Sequence, residues 1–267
     1  MTDPRIQARR VSVARQEGRR RRHRIIGGLV VAAVAAGGLA VVHSSILGAR
    51  HVRVVGAPNI SSSTLISAAG LRGDPPLVDL SPGSIASRIE QLPWVLTAAV
   101  HIAWPSTVAI QVTERIPVAA VALPGGGGSY AVCDVTGRVL EIAPSRPASL
   151  PLVVLRGAGA GEPGAPGTSL PRRDRLELAV AGAMPESMVP TTTAIAVGAD
   201  GVVLGLRDKL EAIFGNAASL AQKFVSLATV LAHGDLEGVG AIDLRVPTAP
   251  VLLPQKSSPI VPGIVGG

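Results

Sequence analysis

The chain has 267 residues and a formal charge of +7, with 47% hydrophobic, 16% charged and 2% aromatic residues and a single cysteine. That content supports aliphatic cores and excludes a polar, disordered chain, while the lone Cys133 excludes an intramolecular disulfide. The positive charge is local: residues 1–24 hold nine arginines against Asp3 and Glu17, and the remainder is balanced. The high isoelectric point therefore describes a tail.

That tail, residues 1–24, lacks apolar periodicity and is expected to be disordered. It has no aromatic residue for base stacking, so its arginines point to topology and anionic lipid rather than to nucleic acid. Residues 25–47 follow without an acidic residue, Lys or Arg. A helix of that length reaches roughly 35 Å at ~1.5 Å per residue, enough to cross a ~30 Å hydrocarbon core. One transmembrane helix is expected. Arg19, Arg20, Arg21, Arg22 and Arg24 beside it favour a cytoplasmic N-terminus, which puts everything from Gly48 outside.

Beyond the span the periodicity changes. Residues 51–56 alternate and end at Gly56, as a short strand does. Ser61 to Ser63 can cap a helix running to Gly70, and Ser81-Pro82 opens a second one that Pro93 stops. Ala98, Val100, Ile102 and Trp104 then share one parity, and after a turn at Pro105 so do Val108, Ile110 and Val112. A hairpin with one apolar face is expected. Trp94 and Trp104 are expected to fill its aliphatic core, with His101 on the exposed face. The order over residues 48–116 is β-α-α-β-β.

From residue 117 short apolar runs alternate with Gly- and Pro-containing turns. Helices are expected at 171–184 and 217–231, and strands at 192–197, 202–206 and 210–214. The last periodic strand spans residues 239–246, with Ile242, Leu244 and Val246 facing the core and Ala241, Asp243 and Arg245 on the other side. Because a Pro-rich tail follows, this strand is expected to form a sheet edge. Gly240, Ala241, Ile242, Asp243, Leu244, Arg245 and Val246 are thus the candidate partner-binding residues. Residues 247–267 are expected to be disordered.

Several stretches carry a resemblance: V-R-V-V-G at 52–56, L-P-W-V at 92–95, W-P-S-T-V-A-I-Q-V at 104–112 and E-R-I-P-V-A at 114–119. With C-D-V-T-G-R-V-L at 133–140 and I-D-L-R at 242–245, they resemble the FtsQ/DivIB family of bacterial cell-division proteins. The resemblance singles out Gly56, Pro93, Trp94, Trp104, Pro105, Glu114, Arg115 and Pro117 as structural residues. It implies a membrane-anchored α+β protein with one N-terminal transmembrane helix. A POTRA-like domain at 48–116 and a mostly antiparallel β domain with flanking helices at 117–246 would follow.

It further implies a divisome scaffold in the cell membrane, concentrated at the septum. Such a scaffold binds FtsB/DivIC-like and FtsL-like proteins and other divisome components, and links them to septal peptidoglycan synthesis. The alternative is a POTRA-type receptor or chaperone module in polypeptide export or envelope assembly. No metal-ligand spacing, nucleophile elbow or phosphate loop is present in the sequence. No enzymatic activity, cofactor, nucleic acid or small-molecule substrate is expected.

Overall fold

The computed structural model describes residues 26–38, 47–123, 128–155 and 163–255. Residues 26–38 form a helix, α1, that exposes Ile26, Leu29, Val30, Val31 and Val34. Residues 39–46, the second part of the expected span, lie outside the described residues, as do the five arginines assigned to topology. Among the described residues, no helix is long and apolar enough to cross a membrane.

The chain divides into two compact units. One draws on residues up to Ile89 and on Ala98–Val112, the other on Glu90–Thr97 and the chain from Thr113 onward. The stretch carrying Pro93 and Trp94 therefore goes with the second unit, unlike in a single break at 116.

In the first unit β1 (His51–Val55), α2 (Ser62–Ala69) and α3 (Pro82–Glu90) precede β2 (Val95–Ala103) and β3 (Thr107–Glu114). The sheet runs β1-β3-β2, with β1 parallel to β3 and His51 opposite Thr107. α2 begins because Ser61 Oγ accepts the Thr64 N–H at 3.2 Å, and ends at Gly70 in the left-handed region. The buried side chains include Leu65 and Ala69, Ile85 and Ile89, Val100, and Val108, Ile110 and Val112, which the periodicities select, and Ala49, Leu71 and Leu77, which they do not. Gly56 closes β1 with φ +87°, and a Cβ there would collide with the Val112 carbonyl oxygen. Only glycine satisfies both conditions.

Trp104 departs from the expectation. It is 58% exposed. The alternation of Ala98, Val100 and Ile102 ends with β2 at Ala103, and residues 104–106 are a turn in which strand parity no longer assigns a face. The Trp104–Pro105 peptide bond is cis. Trp94, just before β2, is half-buried.

The second unit contains β4 (Pro117–Ala122), β5 (Tyr130–Asp134), β6 (Val139–Ala143) and β7 (Leu152–Val153). α4 (Leu176–Gly182), β8 (Thr192–Gly198), β9 (Gly201–Leu206) and β10 (Glu211–Gly215) follow, then α5 (Leu220–His233), β11 (Val239–Asp243) and β12 (Val251–Pro254). One sheet runs β12-β11-β10-β9-β8-β7-β4-β5-β6. Its hairpins are antiparallel, whereas β4 with β7, β7 with β8, and β10 with β11 are parallel.

Leu178 and Ala181 of α4 and Phe224 and Leu227 of α5 share one core with Val121, Ile195, Leu204, Phe214 and Ile242 of the sheet. Each such large side chain contributes about 1.5–3 kcal/mol by leaving water. Residues of opposite strand parity, Ala194, Ala196, Val203 and Ile213, join Leu152 in a smaller cluster.

The C-terminal region corrects two expectations. The strand expected at 239–246 ends at Asp243, and both its sides are occupied, by β10 and by β12. Gly240 to Asp243 therefore form an inner strand, and Leu244, Arg245 and Val246 lie beyond it. Within the tail expected to be disordered, Val251–Pro254 form β12, and among the described residues that strand is the edge; residues 256–267 lie outside the described residues. Ile242 and Leu244 are buried as expected, but Val246 is exposed because strand parity has lapsed by then.

Candidate partner-binding edge

β11 approaches β12 closely at Gly240, where a Cβ would lie 2.5 Å from Gln255 Cα. No larger residue fits without moving the strand. Among the described residues β12 ends the sheet, and the backbone N–H and C=O groups on its outer side have no ladder partner there. The opposite end differs, because β6 meets residues 167–169: the Val139 N–H donates to Thr168 O at 2.9 Å and the Gly167 N–H to Val139 O at 2.8 Å. Leu253 packs on the smaller cluster, while Val251 and Leu252 are exposed. Beside the β11–β12 connection lies an open cavity of about 580 Å³, lined by Val225 and Val230 of α5 and by Pro247 and Pro250.

Lys223 and the Asp243–Arg245 pair hold this corner. Lys223 is buried on α5, and its Nζ donates to Phe214 O at 2.6 Å, Asn216 O at 3.0 Å and Asn216 Oδ1 at 3.2 Å. It clamps the end of β10. Burial lowers its pKa, and the charge of Asp243 opposes that shift. Arg245 reaches back to Asp243 through Nε and Nη2, the latter at 2.6 Å, and to Asp200 Oδ1 through Nη1 at 3.2 Å. Hydrogen bonds and charge from Arg245 hold the Asp243 carboxyl below its ordinary value, against partial burial. Asp243 and Arg245 thus bind each other and brace the end of β11.

A second constellation joins motifs distant in sequence. The Arg115 N–H donates to Trp94 O at 2.8 Å, its Nε to Val95 O at 2.9 Å, and its Nη1 to Asp134 Oδ2 at 2.7 Å. The other oxygen of Asp134 accepts the Thr136 N–H and hydroxyl at 2.9 and 2.7 Å and the Arg138 N–H at 2.9 Å. Burial raises the Asp134 pKa, but the Thr136, Arg115 and Arg138 hydrogen bonds and the Arg115 charge outweigh it and hold the carboxyl low. Pro117 opens β4 opposite Asp134, where the ladder is bulged and a missing N–H is tolerated. Pro93 lies near Gly167.

The neighbouring Cys133 is fully buried, and burial, reinforced by the Asp134 charge, pushes its pKa up to about 12. It is a packing residue. Among the described residues, no group of His, Cys, Asp and Glu could hold a metal ion. The sequence reading missed β12 because Pro250 and Pro254 bracket its apolar triplet; Val251, Leu252 and Leu253 were the available signal.

Residues 47–115 match the family described as POTRA domain, FtsQ-type. This segment is similar to FtsQ-type POTRA domains. The resemblance to FtsQ extends over most of the chain. It is 27% identical to the cell division protein FtsQ of Streptomyces bingchenggensis over 237 residues, 87% of this chain and 86% of that one. With FtsQ of Streptomyces collinus it shares 27% identity over 247 residues, 89% and 90% of the two chains. With FtsQ of Mycolicibacterium smegmatis it shares 27% over 209 residues, 78% of this chain and 59% of that one. The E-R-I-P and C-D-V-T-G-R stretches of the FtsQ resemblance are thus the two that the Arg115–Asp134 pair ties together.

Proposed function

We propose that the chain is a single-pass scaffold of the bacterial division machinery, with its N-terminus in the cytoplasm and both folded units outside. It binds FtsB/DivIC-like and FtsL-like membrane proteins and through them links divisome assembly to septal peptidoglycan synthesis. The similarity to FtsQ proteins supports the setting, and residues 1–47 support the topology through their arginines and charge-free run.

The observation that carries the binding role is β12. A short terminal strand with exposed Val251 and Leu252 beside an apolar groove is built for strand addition. Backbone groups give the partner affinity, and its alternate side chains meet Leu252 or the Val251 side. Lys223 and the Asp243–Arg245 pair hold β10 and β11 behind this edge, so little ordering remains for the partner to drive.

The test is calorimetry with the extracytoplasmic segment of an FtsB-like protein, coupled to amide exchange. Protection of the amides of residues 251–253 on binding is expected, as is loss of binding in the Val251→Lys/Leu252→Lys double variant. Binding with no protection there, and undiminished in the variant, would remove β12 as the site.

A further inference from the structure

We infer that Trp104 anchors the POTRA-like domain in the lipid headgroup layer of the membrane. The inference rests on the reading of residues 25–47 as a membrane span.

Of the chain's five aromatic residues, four are at least half-buried: Phe214 and Phe224 in the core, Tyr130 against the smaller cluster, and Trp94 before β2. Trp104 alone is exposed. Leaving the largest apolar ring in water forgoes more burial than any other side chain offers.

Its position explains the exposure. β1 and β3 are parallel, with His51 opposite Thr107. Residues just before 107 therefore lie at the same end of the sheet as residues just before 51, which is where the chain arrives from the span. The His51 N–H donates to Ser106 O at 3.0 Å, so the Trp104 turn touches the entering strand. The entry is also short and fixed. Ala49 is buried, its N–H donates to Pro75 O at 3.0 Å, and Gly48 pairs with Pro76.

From residue 47 to His51 the chain extends at most roughly 14 Å, and from Ser106 to Trp104 roughly 7 Å. Each interfacial layer is about 5–8 Å deep, so a ring projecting from this turn reaches it. Tryptophan is the side chain suited to that layer, with an apolar body and an N–H that remains hydrated. Exposed Val78, two residues beyond Pro76, adds apolar surface at the same entry segment.

The test uses the full chain in phosphatidylethanolamine–phosphatidylglycerol vesicles carrying a spin label on either the headgroup or the deep acyl chain. Trp94→Phe leaves Trp104 as the only indole; Trp104→Phe in the otherwise native chain gives the same difference without touching Trp94. Trp104 emission is expected to shift to the blue, to be quenched mainly by the headgroup label, and to be shielded from aqueous acrylamide.

If the protein floats with the vesicles while Trp104 stays open to acrylamide and blind to both labels, the anchor is refuted and the span stands. Failure to float refutes both. Shielding that arises only on adding detergent-extracted membrane proteins assigns the turn to a protein partner and overturns the lipid reading.

Discussion

The Arg115 guanidinium and the Asp134 carboxylate meet at 2.7 Å, with 15% and 5% of their side chains exposed. Nineteen residues apart, they connect the backbone of Trp94 and Val95 to the turn that joins β5 and β6. Removing one partner leaves the other charge buried and unpaired, so Arg115→Ala should cost about 3–5 kcal/mol. Urea unfolding of the detergent-solubilised chain measures it. The Asp134 pKa is depressed in the fold, so its contribution is present above the unfolded value near ~3.9 and is lost as pH falls through the folded value. Arg115→Ala should therefore flatten the acid limb of the stability profile, and a limb as steep as wild type would contradict the pairing.

Glu177 gives the opposite pH dependence. It is buried, its Oε2 has no hydrogen-bond partner among the described residues, and burial, with a smaller push from Asp174, raises its pKa against its own backbone hydrogen bond. A carboxyl raised in the fold contributes stability below its unfolded pKa of about 4.3 and loses it as pH rises through the folded value. Glu177→Gln should therefore be more stable than wild type at neutral pH and equal to it in acid. Urea midpoints at the two pH values decide the matter.

Trp104→Ala should leave stability within about 0.5 kcal/mol of wild type, as exposed substitutions do. Thermal melting in detergent checks this. A large loss would mean that the ring is packed.

Gly240→Val should separate β12 from β11, since its side chain would occupy the space of Gln255, at a cost of about 1–3 kcal/mol. Amide exchange should accelerate across residues 251–253 while β8 and β9 keep wild-type protection. Uniform acceleration would show that β12 is part of the global unfolding unit.

What was legible in the sequence was whatever local periodicity controls. β3, α2 and α3 bury the residues their spacing selects, because each is a regular element with one face on a core. Trp104 was misread because period two has meaning only while the strand lasts. β12 was missed because flanking prolines resemble a disordered tail, although an edge strand tolerates proline. Other features were invisible for a different reason: no local pattern announces that Lys223 will meet three oxygens near the end of β10, or that Arg115 will reach Asp134. Those contacts depend on the route of the chain between them.

The placement of β11 between β10 and β12 also bears on how the protein is made. β10 lies inside the sheet only once residues up to Asp243 have been synthesised, about thirty positions after β10 itself. Until then its open side presents Ala212 and Ile213, residues that the finished protein hides. A chain cut short or clipped between α5 and β11 therefore carries an edge of different composition and direction from β12. It would be sticky toward other nascent strands and would lack the edge proposed above for the partner, which makes the last strands a chemical certificate that translation has run far enough.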